Sequence, residues 1–215
     1  MDIGIIGGGR VGTALARLAT AAGHDVRIGM RALDRLGHDD GRDGHGDDAL
    51  RRVSMEEAAA GEIVLLALPY TACADALPPL AAPLSGKIVV DATNPVAADW
   101  SPLALGEGNS AGAEIARLLP DSRVVKAFNT VFADIMTPQG LLRDGRLRTT
   151  AFIASDDEDA SRRVAAFAES LGFAPQLAGR LSQAAHLEAI AHLNIAMALA
   201  GGGTDAAFVY HVSGG

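Results

Sequence analysis

Unbroken apolar runs alternating with stretches of helical spacing organise this 215-residue chain. The first run, Ile3 to Ile6, leads into a helix carrying Val11, Ala14, Leu15, Leu18 and Ala22 on one stripe, and a second run follows at Val26 to Ile28. Strand, helix and strand in that order make a βαβ unit. Further continuous runs at Ile63 to Leu68, Ile88 to Val90, Val124 to Phe128 and Ala151 to Ala154 are separated by helix-compatible segments such as Ser110 to Leu119 and Asp157 to Leu171. Runs without polar alternation belong to strands covered on both faces, which predicts an α/β fold with a doubly wound, mostly parallel sheet.

Short additional strands are expected at Arg52 to Ser54 and Phe173 to Leu177, and a last helix from about Ser182 to Leu199, broken by Gly201, Gly202 and Gly203. The chain thus divides into a main domain over 1–180 and a C-terminal helical appendix over 181–215. In that last helix Leu187, Ile190, Leu193, Ile195, Met197 and Leu199 occupy more than one side, so burial on several faces is expected, against the sheet or against a second subunit in a homodimer. Glu188 and His192, four apart on the helix with no third ligand nearby, read as a helix-surface or interface pair. From Gly37 to Asp48 there is no apolar residue, and this segment reads as a mobile surface loop. Its cluster of His38, Asp39, Asp40, Asp43 and His45 lacks the twelfth-position Glu of a calcium loop, where Leu50 stands, so no metal is expected.

Chemistry enters at the first strand-to-helix turn. Gly7, Gly9 and Gly12 form G-x-G-x-x-G directly after the first strand, which predicts a Rossmann-type dinucleotide site. Gly7 permits the tight turn, Gly9 lets backbone N–H groups approach a pyrophosphate, Gly12 lets helix and strand pack closely, and the helix N-terminus adds partial positive charge. The acid that would bind the ribose 2'-hydroxyl of NAD at the tip of the second strand is missing; the strand ends Ile28-Gly29-Met30-Arg31, with Arg35 one helical turn on. Two guanidinium groups there fit a 2'-phosphate, which predicts NADP(H).

Ligands of open parallel sheets lie beyond the carboxyl ends of the strands. Those ends are Leu68-Pro69-Tyr70, Asp91 to Pro95, and Phe128-Asn129-Thr130. Asn94, Asn129 and Thr130 offer hydrogen bonds to a nicotinamide or to a second ring laid over it, and Pro69 and Tyr70 offer a wall. Lys126 stands inside an apolar strand, where its charge needs a partner; an ion pair with Asp91 is favoured over a catalytic amine. No nucleophile elbow is present, and Cys73 reads as a packed residue.

Composition narrows the partners. With 26 acidic against 18 basic residues, the chain's field repels a polyphosphate backbone, so nucleic acid is not expected as a partner. A lone cysteine fits a reducing compartment, and no uncharged run is long enough to span a membrane; a cytoplasmic protein is expected, neither secreted nor membrane-bound.

Taken together, Gly7 to Gly12, Gly29-Met30-Arg31 with Arg35, Leu68-Pro69-Tyr70, Lys87 to Pro95 and Val124 to Thr130 resemble the NADPH-dependent F420 reductase family, the F420-dependent NADP oxidoreductases. The resemblance covers nearly the whole chain, including the last helix from Leu181 through Leu187-Glu188 to Asn194, and extends to the NADPH-binding domain of the six-transmembrane metalloreductases. It implies hydride exchange between NADP(H) and the deazaflavin coenzyme F420. It also implies phosphate contacts at Gly9, Arg10, Val11 and Gly12, 2'-phosphate contacts at Met30, Arg31 and Arg35, and nicotinamide contacts near Leu68, Pro69 and Asn94. The deazaflavin would lie against Asn94, Pro95, Asn129 and Thr130. Met30 stands where the family has a hydroxyl residue, and Tyr70 and Ala72 where archaeal members have Trp and His. Two other readings keep the same cofactor: a reductase of a flavin, imine or carbonyl, which for the last two needs Lys126 or Tyr70 as proton donor, and a non-catalytic NADP(H)-binding sensor.

Overall fold

The computed structural model describes residues 1–31, 50–143 and 147–213, so Arg35 and the Gly37 to Asp48 segment lie outside the described residues. Strands β1 (Asp2–Ile6), β2 (Asp25–Met30), β3 (Arg51–Ser54), β4 (Ile63–Leu66), β5 (Ile88–Asp91) and β6 (Arg123–Lys126) run parallel in the order 3-2-1-4-5-6. This is the Rossmann order, with its reversal point between β1 and β4. A two-stranded ribbon, β7 (Leu142–Arg143) with β8 (Leu147–Arg148), precedes β9 (Thr150–Ser155) and β10 (Ala174–Gly179). β9 pairs antiparallel with β6, and β10 pairs parallel with β9, completing an eight-stranded sheet.

The buried strand residues sort into two cores by alternation. Ile3, Ile5, Ile63, Leu65, Ile88, Val90 and Val125 face helices α1 (Arg10–Ala21) and α7 (Glu158–Ser170). Ile6, Val64, Leu66, Val89 and Val124 face the other side, against α2 (Met55–Ala59), α3 (Cys73–Ala76), α4 (Ala81–Leu84) and α5 (Ala111–Leu118). Both faces being covered, the strands need no polar residue, which is why their sequence shows no period of two. On the first face Phe128 meets Phe167 edge to face and Phe173 at a tilt, with centroids 6.2 Å and 5.3 Å away.

The short helix α6 (Pro138–Leu141) and the last helix, α8 (Ala184–Met197), complete the structure; α8 is followed by a turn in which Gly201 takes φ +100°. Leu187, Ala191 and Ile195 of α8 are buried on the domain, whereas Leu193 and Met197 on its outer side are 54% and 44% exposed; Leu199, just past the helix, is 68% exposed and lines the cavity described below. The helix is therefore buried along one side here, fewer than its apolar composition led us to expect. Glu188, expected at a surface or interface, is instead inside, 3% exposed. The tail runs back across the start of β9, where the Thr150 N–H donates to the Phe208 carbonyl (3.2 Å) and the Tyr210 N–H to the Thr150 hydroxyl (2.8 Å). No helix among the described residues is long and apolar enough to cross a membrane.

Ser54, Ser110 and Asp157 cap α2, α5 and α7 with their side chains. α1 begins at Gly9 with no side-chain cap and no acid in its first turn. Phe167→Ala should cost about 3–5 kcal/mol of stability, read from urea denaturation, because it removes a fully buried ring from the core on the first face of the sheet.

Candidate active site

The uncapped start of α1 sits where β1 turns over. Gly7 takes φ +113°, and a Cβ there would meet the Ala67 carbonyl; a Cβ on Gly12 would strike the carbonyl of Gly7. At Gly9 a Cβ would meet nothing within 4 Å. The turn is thus compressed against protein at Gly7 and Gly12 and open at Gly9, the shape needed for a pyrophosphate approaching bare N–H groups at a helix N-terminus. The Met30 thioether packs over Gly8, and Arg31 lies exposed just beyond β2, with no acid at that strand's end. These residues fit a dinucleotide carrying a 2'-phosphate.

Beneath the ends of β5 and β6 lies a fully buried ionic cluster. Lys126, 0% exposed, donates from Nζ to Asp91 Oδ2 (2.9 Å) and the Thr93 carbonyl (2.7 Å), and pairs with Glu188 Oε1 at 2.8 Å. Burial alone would lower the Lys126 pKa; the charges of Asp91 and Glu188 outweigh it and raise it above the ordinary value. The carboxylates are held in turn: Asp91 Oδ1 accepts from the Thr93 N–H (2.8 Å), and Glu188 accepts from the N–H groups of Ala111 (3.0 Å) and Gly112 (3.1 Å). Those two N–H groups open α5, so the helix N-terminus offsets the cluster's extra negative charge. Every bond of Lys126 is to the framework, and its ammonium group faces no open space.

Above this cluster a cavity of about 360 Å³ opens against the first turn of α1. Arg10, Val11, Asn94, Asn129 and Thr130 line it, as do Trp100, Phe128, Asp134, Asn194 and Thr204, which sequence reasoning did not select. The amides form a lattice. Asn94 Nδ2 donates to the Asn129 carbonyl (2.7 Å), and Asn129 Nδ2 donates to Asn94 Oδ1 (3.0 Å) and to the Leu187 carbonyl (3.1 Å). Asn194 Nδ2 donates to the Thr130 carbonyl (3.2 Å), so α8 is stitched to the end of β6. Asn129 is 5% exposed, and its Oδ1 has no partner within the protein. Pro95 is buried outside the lining, its carbonyl taking the Leu103 N–H (2.8 Å).

At the cavity mouth Arg10 pairs with Asp134, which also accepts from the Thr204 hydroxyl. The hydroxyl first, and Arg10 after it, hold the Asp134 carboxyl below its ordinary range. Leu68, Pro69 and Tyr70 follow β4, outside the cavity lining. The Tyr70 hydroxyl donates to Glu114, and burial, then that carboxylate, push its pKa up. Cys73 is buried, and burial followed by the charge of Asp91 pushes its thiol up to about 12. No group of His, Cys, Asp and Glu among the described residues could hold a metal ion.

An open glycine turn, an uncapped helix and a polar-tipped cavity at the strand ends define a dinucleotide-dependent oxidoreductase of the NADP type. Residues 2–95 of the chain match the family described as NADP oxidoreductase, coenzyme F420-dependent. The chain is 30% identical over 188 residues to the metalloreductase STEAP3 of Rattus norvegicus, covering 87% of this chain and 36% of that protein. The curated relatives are longer, and the chain spans between about a third and a half of their length. A proposed F420-dependent NADP reductase from Arthrobacter sp. FB24 superposes with a TM-score of 0.86 at 27% identity, over 99% of this chain and 100% of that one. A hypothetical protein of Sinorhizobium meliloti is 32% identical, with a TM-score of 0.70 over 85% of this chain and 86% of that one.

Lys126→Met leaves two carboxylates buried without a cation and should destabilise the protein by about 3–5 kcal/mol. Glu188→Gln, which removes one of them, should cost less, and denaturation of the two variants side by side checks the order. Because its thiol stays protonated and covered, Cys73 should resist iodoacetamide at neutral pH in the native protein and react once urea unfolds it.

Proposed function

We propose that this protein exchanges hydride between NADP(H) and the deazaflavin coenzyme F420, the two rings lying face to face in the cavity over Asn94 and Asn129. One observation carries the reading: among the described residues the titratable side chains lining the cavity are Arg10 and Asp134, and they are paired with each other. Reduction of an imine or carbonyl needs a proton donor beside the nitrogen or oxygen. Lys126 is spent on its carboxylates, and the Tyr70 hydroxyl points its proton at Glu114. Hydride transfer between two bound rings instead requires proximity, alignment and exclusion of water, which an apolar cavity with fixed amides provides.

In this reading NADP(H) supplies or accepts the hydride. The N–H groups of Gly9, Arg10, Val11 and Gly12 bind its pyrophosphate. Arg31, with Arg35, takes the 2'-phosphate beside Met30, and Leu68, Pro69 and Tyr70 wall the nicotinamide ribose. Asn94, Asn129 and Thr130 orient the two rings, with Pro95 fixing the turn that carries Asn94. Residues 1–180 bind the dinucleotide, and 181–215 fold back to close the acceptor side. The exposed Leu193 and Met197 support a homodimer through α8, and the lone, buried Cys73 supports a cytoplasmic enzyme.

Mixing the protein with NADPH and oxidised F420 should bleach the deazaflavin absorbance, with NADH much slower; FMN and a cyclic imine serve as competing acceptors. Tight NADPH binding with no loss of F420 absorbance would reject this function. Arg31→Ala should raise the KM for NADPH about ten- to hundredfold with little change in kcat; kinetics identical to the parent would remove Arg31 from the 2'-phosphate site.

A further inference from the structure

Trp100, the chain's single tryptophan, stands at the cavity in a backbone conformation that its side chain makes unfavourable. Its φ is +68°, a region bulky residues enter only when their surroundings force them to. Burial does not explain the choice, because the residue is 56% exposed. Glycine would take the same φ without strain.

The turn around Trp100 is tightly determined. Val96 and Pro102 form an isolated antiparallel bridge, the Ala97 N–H donates to the Ser101 carbonyl (2.8 Å), and the Trp100 N–H donates to the Ala97 carbonyl (3.0 Å). Asp99 accepts from the Ser101 N–H (3.0 Å) and hydroxyl (2.6 Å). The turn hangs from Asn94 and Pro95, whose positions are set by Asn129 and Leu103. Phe128, on the same cavity, also has a left-handed backbone, φ +64°. Two aromatic residues are thus held in strained conformations around one space, the pattern of a ligand clamp.

We propose that Trp100 selects the hydride acceptor, its indole stacking on a planar tricyclic ring of the deazaflavin or flavin type and holding that ring toward the nicotinamide. The inference rests on the function proposed above and narrows the acceptor to a flat, extended ring system. An aliphatic imine or carbonyl presents no face for the indole to cover.

Trp100→Gly and Trp100→Phe test it. Trp100→Gly should raise the KM for F420 about tenfold or more while the KM for NADPH stays within about twofold, and Trp100→Phe should recover most of the loss. The thermal midpoint of Trp100→Gly should equal or exceed the parent's, since glycine relieves the backbone; a merely structural tryptophan would lower it. A readout free of turnover is oxidation of Trp100 by N-bromosuccinimide, located by peptide mass spectrometry. F420 added to the NADP⁺ complex should protect the indole, NADP⁺ alone should not, and FMN in a parallel arm shows whether the ring or the deazaflavin is read. An unchanged F420 KM, a lowered midpoint, or oxidation indifferent to both ring systems overturns the proposal. So does protection that rises with protein concentration alone, which would mark a contact between copies. If the parent turns over neither acceptor but either one protects Trp100, the proposed function fails and the stacking role stands.

Discussion

The ammonium group of Lys126 is the point on which the site depends. Two neighbouring strands and the last helix converge on it: Asp91 of β5 and Glu188 of α8 each place a carboxylate within 3 Å of the Lys126 ammonium of β6, in a volume without solvent. A charge so placed is tolerated only with close partners, and the partners become as dependent on it as it is on them. Because Lys126 also holds the Thr93 carbonyl, and Glu188 holds the start of α5, the cluster fixes the main chain that leads directly into Asn94 and Asn129. The amide lattice above it inherits that rigidity. A polar site one layer above a locked ionic layer keeps its geometry before any ligand arrives, which lowers the cost of orienting what binds there.

Two ends of the dinucleotide meet different physics. At the phosphate end the protein contributes absence: no side chain at Gly9, no side-chain cap on α1, no acid at the Met30-Arg31 end of β2. At the ring end it contributes fixed shape, from Asn94 and Asn129 locked to each other and from Phe128 and Trp100 in left-handed conformations. Arg10 and Asp134 lie at the junction, where the charges of the loop and of the chain after β6 cancel.

Much of this was legible in the sequence where the requirement is local. The glycine turn could be read because the steric demands on Gly7 and Gly12 fall within one strand-turn-helix unit. The Lys126–Asp91 pair could be read because a lone charge in an apolar strand needs an opposite charge, and the parallel register sets those two residues side by side. Glu188 could not: its i,i+4 relation to His192 suggests a solvated helix face, and only the docking of α8 turns it inward. The antiparallel direction of β9 was equally hidden, since unbroken apolar residues report cover on both faces and say nothing of chain polarity. Trp100 lay in a run, Asp99-Trp100-Ser101, that reads as an ordinary polar turn; its φ follows from the bonds around it, not from its own preference.

The reversed strand divides the molecule in a way that bears on how it can change. Because β9 runs against its neighbour, its carboxyl end points away from the end where all the other ligands of the fold would gather. No residue lining the cavity falls between Asp134 and Ala191. The helix and paired strands from Thr150 to Gly179 therefore seal the sheet's margin without touching the reacting centre, and the loops on their far side are free to lengthen, carry a fused domain or diverge.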